Sequence, residues 1–387
     1  MISSAVSFKL LAAAAALGNV AIATAVLPAG QAVAFLAAIS FAQLFQPFAG
    51  FGLVTRIVAI RDDEELLKVR HRHYFFLYAV IVAIASAFTS LGQGATWEIA
   101  VFAGLLALHA VESERVRAGY GNHSGIYVQN ATVLLGSLSV LALGEFTVVP
   151  GVLIGLAYLG YLSKVPEAQS SRETTTKMTP TWADALKGLR AMSVTQFYSA
   201  IVVLAALILA PEEALIVTLV YRSGLFFNWQ LFYWMRFGHK AALDIYTDEN
   251  VATNKRLARL SFLAFAGASI GALLVNVVPP LRDLLERFDQ VDLPYLAILI
   301  AAYGGVQFAL SRTFPFEATV VYRTGTRPDR NYVAFWALGI ASVAVISQIA
   351  PNAVALLIAV EVCRVGFRVL SYRQFTTLDL APDTVPA

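Results

Sequence analysis

Arg222, Trp229, Tyr233 and Arg236 stand at i, i+7, i+11 and i+14 in the stretch VYRSGLFFNWQLFYWMRFGHK. On one continuous helix these positions fall within about 60° of each other. Guanidinium groups bind phosphate oxygens bidentately, and aromatic rings present flat apolar faces. The stripe therefore suits an anionic ligand that also carries sugars. The plainer account is a pair of interfacial aromatics with an arginine reaching the headgroups. Arg222 fits that account poorly, because it lies roughly ten residues from the outer end of its segment, too deep to snorkel comfortably.

A second constellation lies in FAQLFQPFAGFGLVTRIVAIRDDEE, Phe41 to Glu65. Gln43, Gln46 and Gly50 follow at i, i+3 and i+7, which predicts one shared face turned away from lipid. Arg56 comes close to the inner boundary, where it is either a ligand for substrate phosphate or an anchor for ordinary headgroups. Gln196, Asn130, and Gln307 with Tyr303 add polar groups inside other apolar runs. Glu361 with Arg364, and Glu112 with Arg115, read as ion pairs one helical turn apart. A proton relay is the alternative for His109 and Glu112.

The elements that must carry these groups follow from composition. The chain has 387 residues, 58% of them hydrophobic and only 14% charged. A soluble domain carries about 25% charged residues. Here apolar runs of about twenty residues recur, the length a bilayer-crossing helix needs. They predict about twelve spans, at roughly 6–27, 32–59, 74–92, 96–113, 124–143, 147–163, 187–209, 213–236, 257–279, 293–314, 331–349 and 352–371. The start of the chain reads as the first span rather than a cleaved signal, since only Lys9 precedes a long apolar run.

Basic residues set the orientation. Of 28 Lys and Arg, only Arg282 and Arg287 fall in outer loops, and Arg222 falls within a span. The rest lie in inner loops, the tail or the inner ends of spans, which places both termini in the cytoplasm. The polar, Ser/Thr-rich stretch Lys164 to Arg190 near mid-chain reads as an inner linker. The predicted fold is thus all-α and polytopic, with two six-helix bundles at 1–163 and 187–371. A cytoplasmic linker at 164–186 joins them, and a disordered tail at 372–387 follows. A faint internal echo supports the two halves: Pro28, Leu36 and Ser40 recur at equal offsets as Pro211, Leu219 and Ser223. Two six-span halves in one orientation form a transporter plan with the pathway between them.

Chemistry that is missing narrows the field. The sequence has no phosphate-cradling Walker motif and no HExxH. Its one cysteine, Cys363, excludes an internal disulfide and a cysteine metal cluster. No catalytic residue, cofactor or metal is expected, and the acids of the outer loops are scattered.

The segment LPAGQAVAFLAAISFAQLFQPFAGFGLVTRIVAIRDDEE resembles the start of polysaccharide-biosynthesis flippases of the O-antigen (Wzx) type, within the multidrug/oligosaccharidyl-lipid/polysaccharide exporter superfamily. The matching features are the Pro28/Gly30 turn, a long second span, Gly50 and Gly52 before Arg56, and a charged inner loop. The resemblance implies an inner-membrane carrier that moves an undecaprenyl-pyrophosphate-linked oligosaccharide to the outer leaflet by alternating access. It implies Arg56 as a cationic cavity residue. The expected substrate-binding set is Arg222, Arg56, Gln43, Gln46, Trp229, Tyr233, Arg236, Gln196 and Gln307. Expected partners are the anionic lipid-linked glycan, membrane lipids and polysaccharide-assembly proteins, with no nucleic acid. The alternatives are a cation-coupled exporter of drugs or small solutes with the same fold, and a non-transport protein of envelope assembly. The first of these needs a buried carboxylate, and none stands deep in the first or seventh span.

Overall fold

A computed structural model of the chain describes residues 18–54, 72–120, 124–164, 200–229, 248–278, 292–311 and 330–377, together with 15, 181–183 and 185–186. The regular elements among them are all helical. In chain order they are α1 (18–26), α2 (Ala29–Leu44), α3 (Arg72–Gly92), α4 (Trp97–Tyr120), α5 (Ser124–Leu143) and α6 (Val149–Lys164). There follow α7 (Ala200–Ile208), α8 (Pro211–Phe227), α9 (Asp248–Val277), α10 (Leu293–Leu310), α11 (Arg330–Ile349) and α12 (Ala353–Thr377). Within α3, α5, α9 and α10 lie four stretches long and apolar enough to cross a membrane. The chain is an all-helical membrane protein.

The outward faces agree with that. On α3, Phe76, Leu77, Ile81, Ile84, Phe88 and Leu91 are exposed, whereas Phe75, Ala79, Val82, Ser86 and Ser90 are buried. The large apolar side chains point out and the inner face is mixed and partly small, the reverse of a soluble helix. Helix ends follow local chemistry. Pro211 opens α8, with Glu212 and Glu213 in its first turn, where the positive end of the helix dipole favours acids. Asp292 caps α10 by accepting the Tyr295 N–H at 3.0 Å.

Two helices act as hubs. α4 packs on α2, α3, α5 and α6, and α8 packs on α7, α9, α10 and α12. α2 touches both groups, since it also contacts α7 and α8. Its composition explains how. Ala32, Ala34, Ala37, Ala38, Ser40 and Ala42 are all buried, so neighbours approach it closely on several sides. Phe35 supplies the large contact, with its ring 5.3 Å from those of Phe102 and Phe146.

The second predicted span, 32–59, is corrected by the structure: its helix stops at Leu44. A 3₁₀ turn follows over Gln46–Phe48, and then Gly50, Phe51 and Gly52 adopt φ of 63°, 57° and 87°. Pro47 lacks the N–H that a continuing helix would give to the Gln43 carbonyl, and the glycines accept left-handed geometry without strain. The Tyr78 hydroxyl donates to the Phe45 carbonyl at 2.8 Å, satisfying a backbone group at the break. Residues 55–71 lie outside the described residues.

The eighth predicted span, 213–236, is likewise interrupted. α8 ends at Phe227, and Asn228 takes φ −82° and ψ 72°, outside the helical region. The register assumed for the stripe from Arg222 to Arg236 therefore does not extend past Asn228.

Close helix approach in the C-terminal half depends on two glycines. A Cβ on Gly224 would lie 2.4 Å from Tyr303 Cε1, and one on Gly304 would lie 2.5 Å from Phe265 Cβ. The second contact is with the root of a side chain, so α9 and α10 would have to separate. Gly304→Ala is expected to destabilise the purified protein by about 2 kcal/mol, read as a lowered thermal midpoint in detergent. The neighbouring Gly305→Ala, whose Cβ meets nothing within 4 Å, is expected to melt like the wild type. An end-to-end tie is also testable. Glu213 Oε2 accepts the Ala353 N–H at 2.7 Å and so caps α12 from α8. Glu213→Ala is expected to cost about 1 kcal/mol in the same melt, whereas the exposed Glu212→Ala leaves the midpoint in place.

Candidate functional site

Arg222 is 4% exposed and lies 11 residues into α8, roughly 16 Å along its axis. Its Nη2 donates to Ser40 Oγ of α2 at 2.7 Å. Its Nε is buried with no hydrogen-bond partner among the described residues, and no described carboxylate pairs with it.

Three other arginines in the described helices follow a different rule. Arg115 grips Glu112 with Nε and Nη2 at 2.9 and 2.7 Å. Arg117 grips Glu114 in the same bidentate way. Arg364 Nη1 meets Glu361 at 3.0 Å. Each has its acid three residues earlier on the same helix, which cancels the charge locally. Three residues before Arg222 stands Leu219. A buried ion without a counter-ion costs several kcal/mol, so this position is costly for the fold.

Beside Arg222 is a small cavity of about 20 Å³, room for about one water molecule. One wall is α2, through Leu36, Ile39 and Gln43, which share a helical face. The facing wall is α5, through Gln129, Asn130 and Val133, and Asn19 of α1 completes the lining. Among the described lining residues, Arg222 is the one from beyond the mid-chain linker. The Asn19 side-chain oxygen accepts from Ser137 Oγ at 2.7 Å, which fixes its orientation. Four amides and one guanidinium can therefore offer donors and acceptors to a polar, negatively charged guest, with apolar groups between them. The described lining has no carboxylate.

The structure distributes the expected site residues unevenly. Arg222 and Gln43 meet at the cavity. Gln46 does not share the face of Gln43, because the helix has already ended; its Nε2 donates to the Ala110 carbonyl of α4 at 3.5 Å. Trp229 is not in the lining, and its backbone N–H donates to Ser261 Oγ at 3.1 Å. Gln307 is buried elsewhere: its Oε1 accepts from Arg364 Nη2 at 2.5 Å and from Asn228 Nδ2 at 3.4 Å. It helps hold the Glu361–Arg364 pair between α8, α10 and α12. Arg56, Gln196, Tyr233 and Arg236 lie outside the described residues.

His109 is fully buried against the rings of Tyr158 and Tyr161, at 6.0 and 5.5 Å between centroids. Glu112 is committed to Arg115, as the one-turn spacing predicts. Sequence reasoning passed over Asn19 and Gln129. Both are amides within apolar runs, the same signal that marked Gln43. Spacing places Ser40 in an internal echo and does not reveal it as the partner of Arg222.

Comparison of the chain with protein-family models, with curated proteins and with solved structures finds no match.

Proposed function

We propose that the protein is a carrier for an anionic, lipid-linked glycan, moving it from the inner to the outer leaflet of the cell inner membrane. In this reading two six-helix bundles with cytoplasmic termini alternate access to the site between them. The observation that carries the proposal is the buried guanidinium of Arg222, with no carboxylate partner among the described residues, at a cavity lined by amides. A lone buried cation is costly unless an anion arrives to meet it. Amide side chains supply both donors and acceptors, which matches the many hydroxyls of a sugar. The lipid tail would stay among the membrane lipids outside. A pyrophosphate-linked oligosaccharide on a polyprenyl carrier has this chemistry. A cation-coupled exporter would call for a carboxylate at the cavity, and none stands among the described lining residues.

The test separates a ligand arginine from a structural one. Arg222→Met fills similar volume without charge. The full-length variant is expected to melt at or above the wild-type temperature, because an uncompensated buried charge is removed. Its binding of a fluorescent short-chain polyprenyl-pyrophosphate oligosaccharide in nanodiscs is expected to fall about 10–100-fold, the equivalent of one or two charge-assisted hydrogen bonds. Wild-type binding by a well-folded Arg222→Met protein would overturn the assignment.

A further inference from the structure

The break in the second apolar run bears on which part of the molecule moves. α2 forms one wall of the cavity and carries the Ser40 hydroxyl that receives Arg222 of α8. The residues just beyond α2 are fastened to other helices. Tyr78 of α3 donates to the Phe45 carbonyl, and Gln46 donates to the Ala110 carbonyl of α4. At and beyond these anchors the regular i to i−4 ladder gives way: Phe48 and Ala49 donate to Phe45 and Gln46 in 3₁₀ fashion. Three successive left-handed residues follow, and one of them, Phe51, is not glycine. Its ring is held edge-on against Tyr78 at 5.3 Å. Gly50 leaves room for the Phe75 ring, which would lie 2.8 Å from an added Cβ.

α2 is thus a 16-residue rod with a non-helical joint at one end. Its polar tie runs to α8. Against α4 its side-chain contacts are apolar, such as Phe35 on Phe102, and so carry no directional tie.

We infer that α2 is a pivoting arm that turns about residues 45–52 and travels with α8 rather than with α3 and α4. The wall of Leu36, Ile39 and Gln43 then swings against the wall of Gln129, Asn130 and Val133, opening and closing the cavity. The boundary between moving bodies falls inside the first half of the chain, not at the mid-chain linker. The inference rests on the carrier reading only for its purpose, since a carrier has to open its cavity; the motion itself is measured without substrate.

The experiment uses full-length protein in lipid nanodiscs with the native thiol removed by Cys363→Ser. Spin labels are placed on Gln31→Cys at the start of α2, paired with Phe88→Cys on α3 or with Ile298→Cys on α10, which packs on α8. Phe88 and Ile298 are 70% and 64% exposed, so labels there disturb no packing. The 31–88 pair is expected to show two distances and the 31–298 pair one. Gly52→Ala, which puts a Cβ at φ 87°, is expected to change the 31–88 pattern to a single distance. Should that variant not fold, Phe51→Gly frees the joint and is expected to broaden the 31–88 distribution while leaving 31–298 sharp. A single 31–88 distance in the unmodified joint, or two 31–298 distances, overturns the inference. Neither result touches the glycan-binding test of Arg222, so the two readings fail separately.

Discussion

A guanidinium held in an apolar interior, with no carboxylate partner among the described residues, constrains everything around it. Arg222 cannot lose its proton and is 4% exposed, so its neighbours must supply oxygen. Ser40 does so from α2. For that hydroxyl to come within 2.7 Å, α2 must lie close against α8, and its run of alanines makes the approach sterically cheap. The space left beside the pair is lined by side-chain amides, which tolerate an apolar setting better than charges do and still offer hydrogen bonds. Packing, cavity polarity and the bridging position of α2 are thus linked through one residue.

The rest of the polar interior shows what a chain does when charge is meant to be silent. Arg115, Arg117 and Arg364 each carry their acid one turn earlier. Gln307 and Asn228 add further bonds around the last of these pairs. Such groups fix helix positions in a medium where apolar side chains give little direction, because lipid is as apolar as they are. Gly224 and Gly304 do the complementary work, letting Tyr303 and Phe265 seat against neighbouring backbones.

Much of this was legible in the sequence where lipid imposes it. The predicted spans at 124–143 and 74–92 match α5 and α3 closely, because an apolar run bounded by Gly92 or Gly144 leaves little choice. The depth of Arg222 marked it from spacing alone. The break after Leu44 was less visible, since Pro47, Gly50 and Gly52 sit in a run whose hydropathy never falters. Its cost was the shared face assumed for Gln43 and Gln46. Gln307 shows a second limit: periodicity says which side of a helix is polar, but not whether a cavity or Arg364 waits there. Asn228 shows a third, for one non-helical residue was enough to take Trp229 off the Arg222 stripe.

The tie between Ser40 and Arg222 spans 182 residues of sequence, and that separation matters while the chain is being made. Synthesis delivers Ser40, Gln43 and the α5 amides long before α8 emerges. An arginine at the centre of a single helix is a poor candidate for membrane insertion, by about 2.5–3.5 kcal/mol. Here it enters beside oxygens already in place, so the early part of the chain serves as the solvent for the late part's charge. α12, last to arrive, finds its first backbone N–H met by Glu213 of α8. The order of translation and the order of dependence between helices run in the same direction.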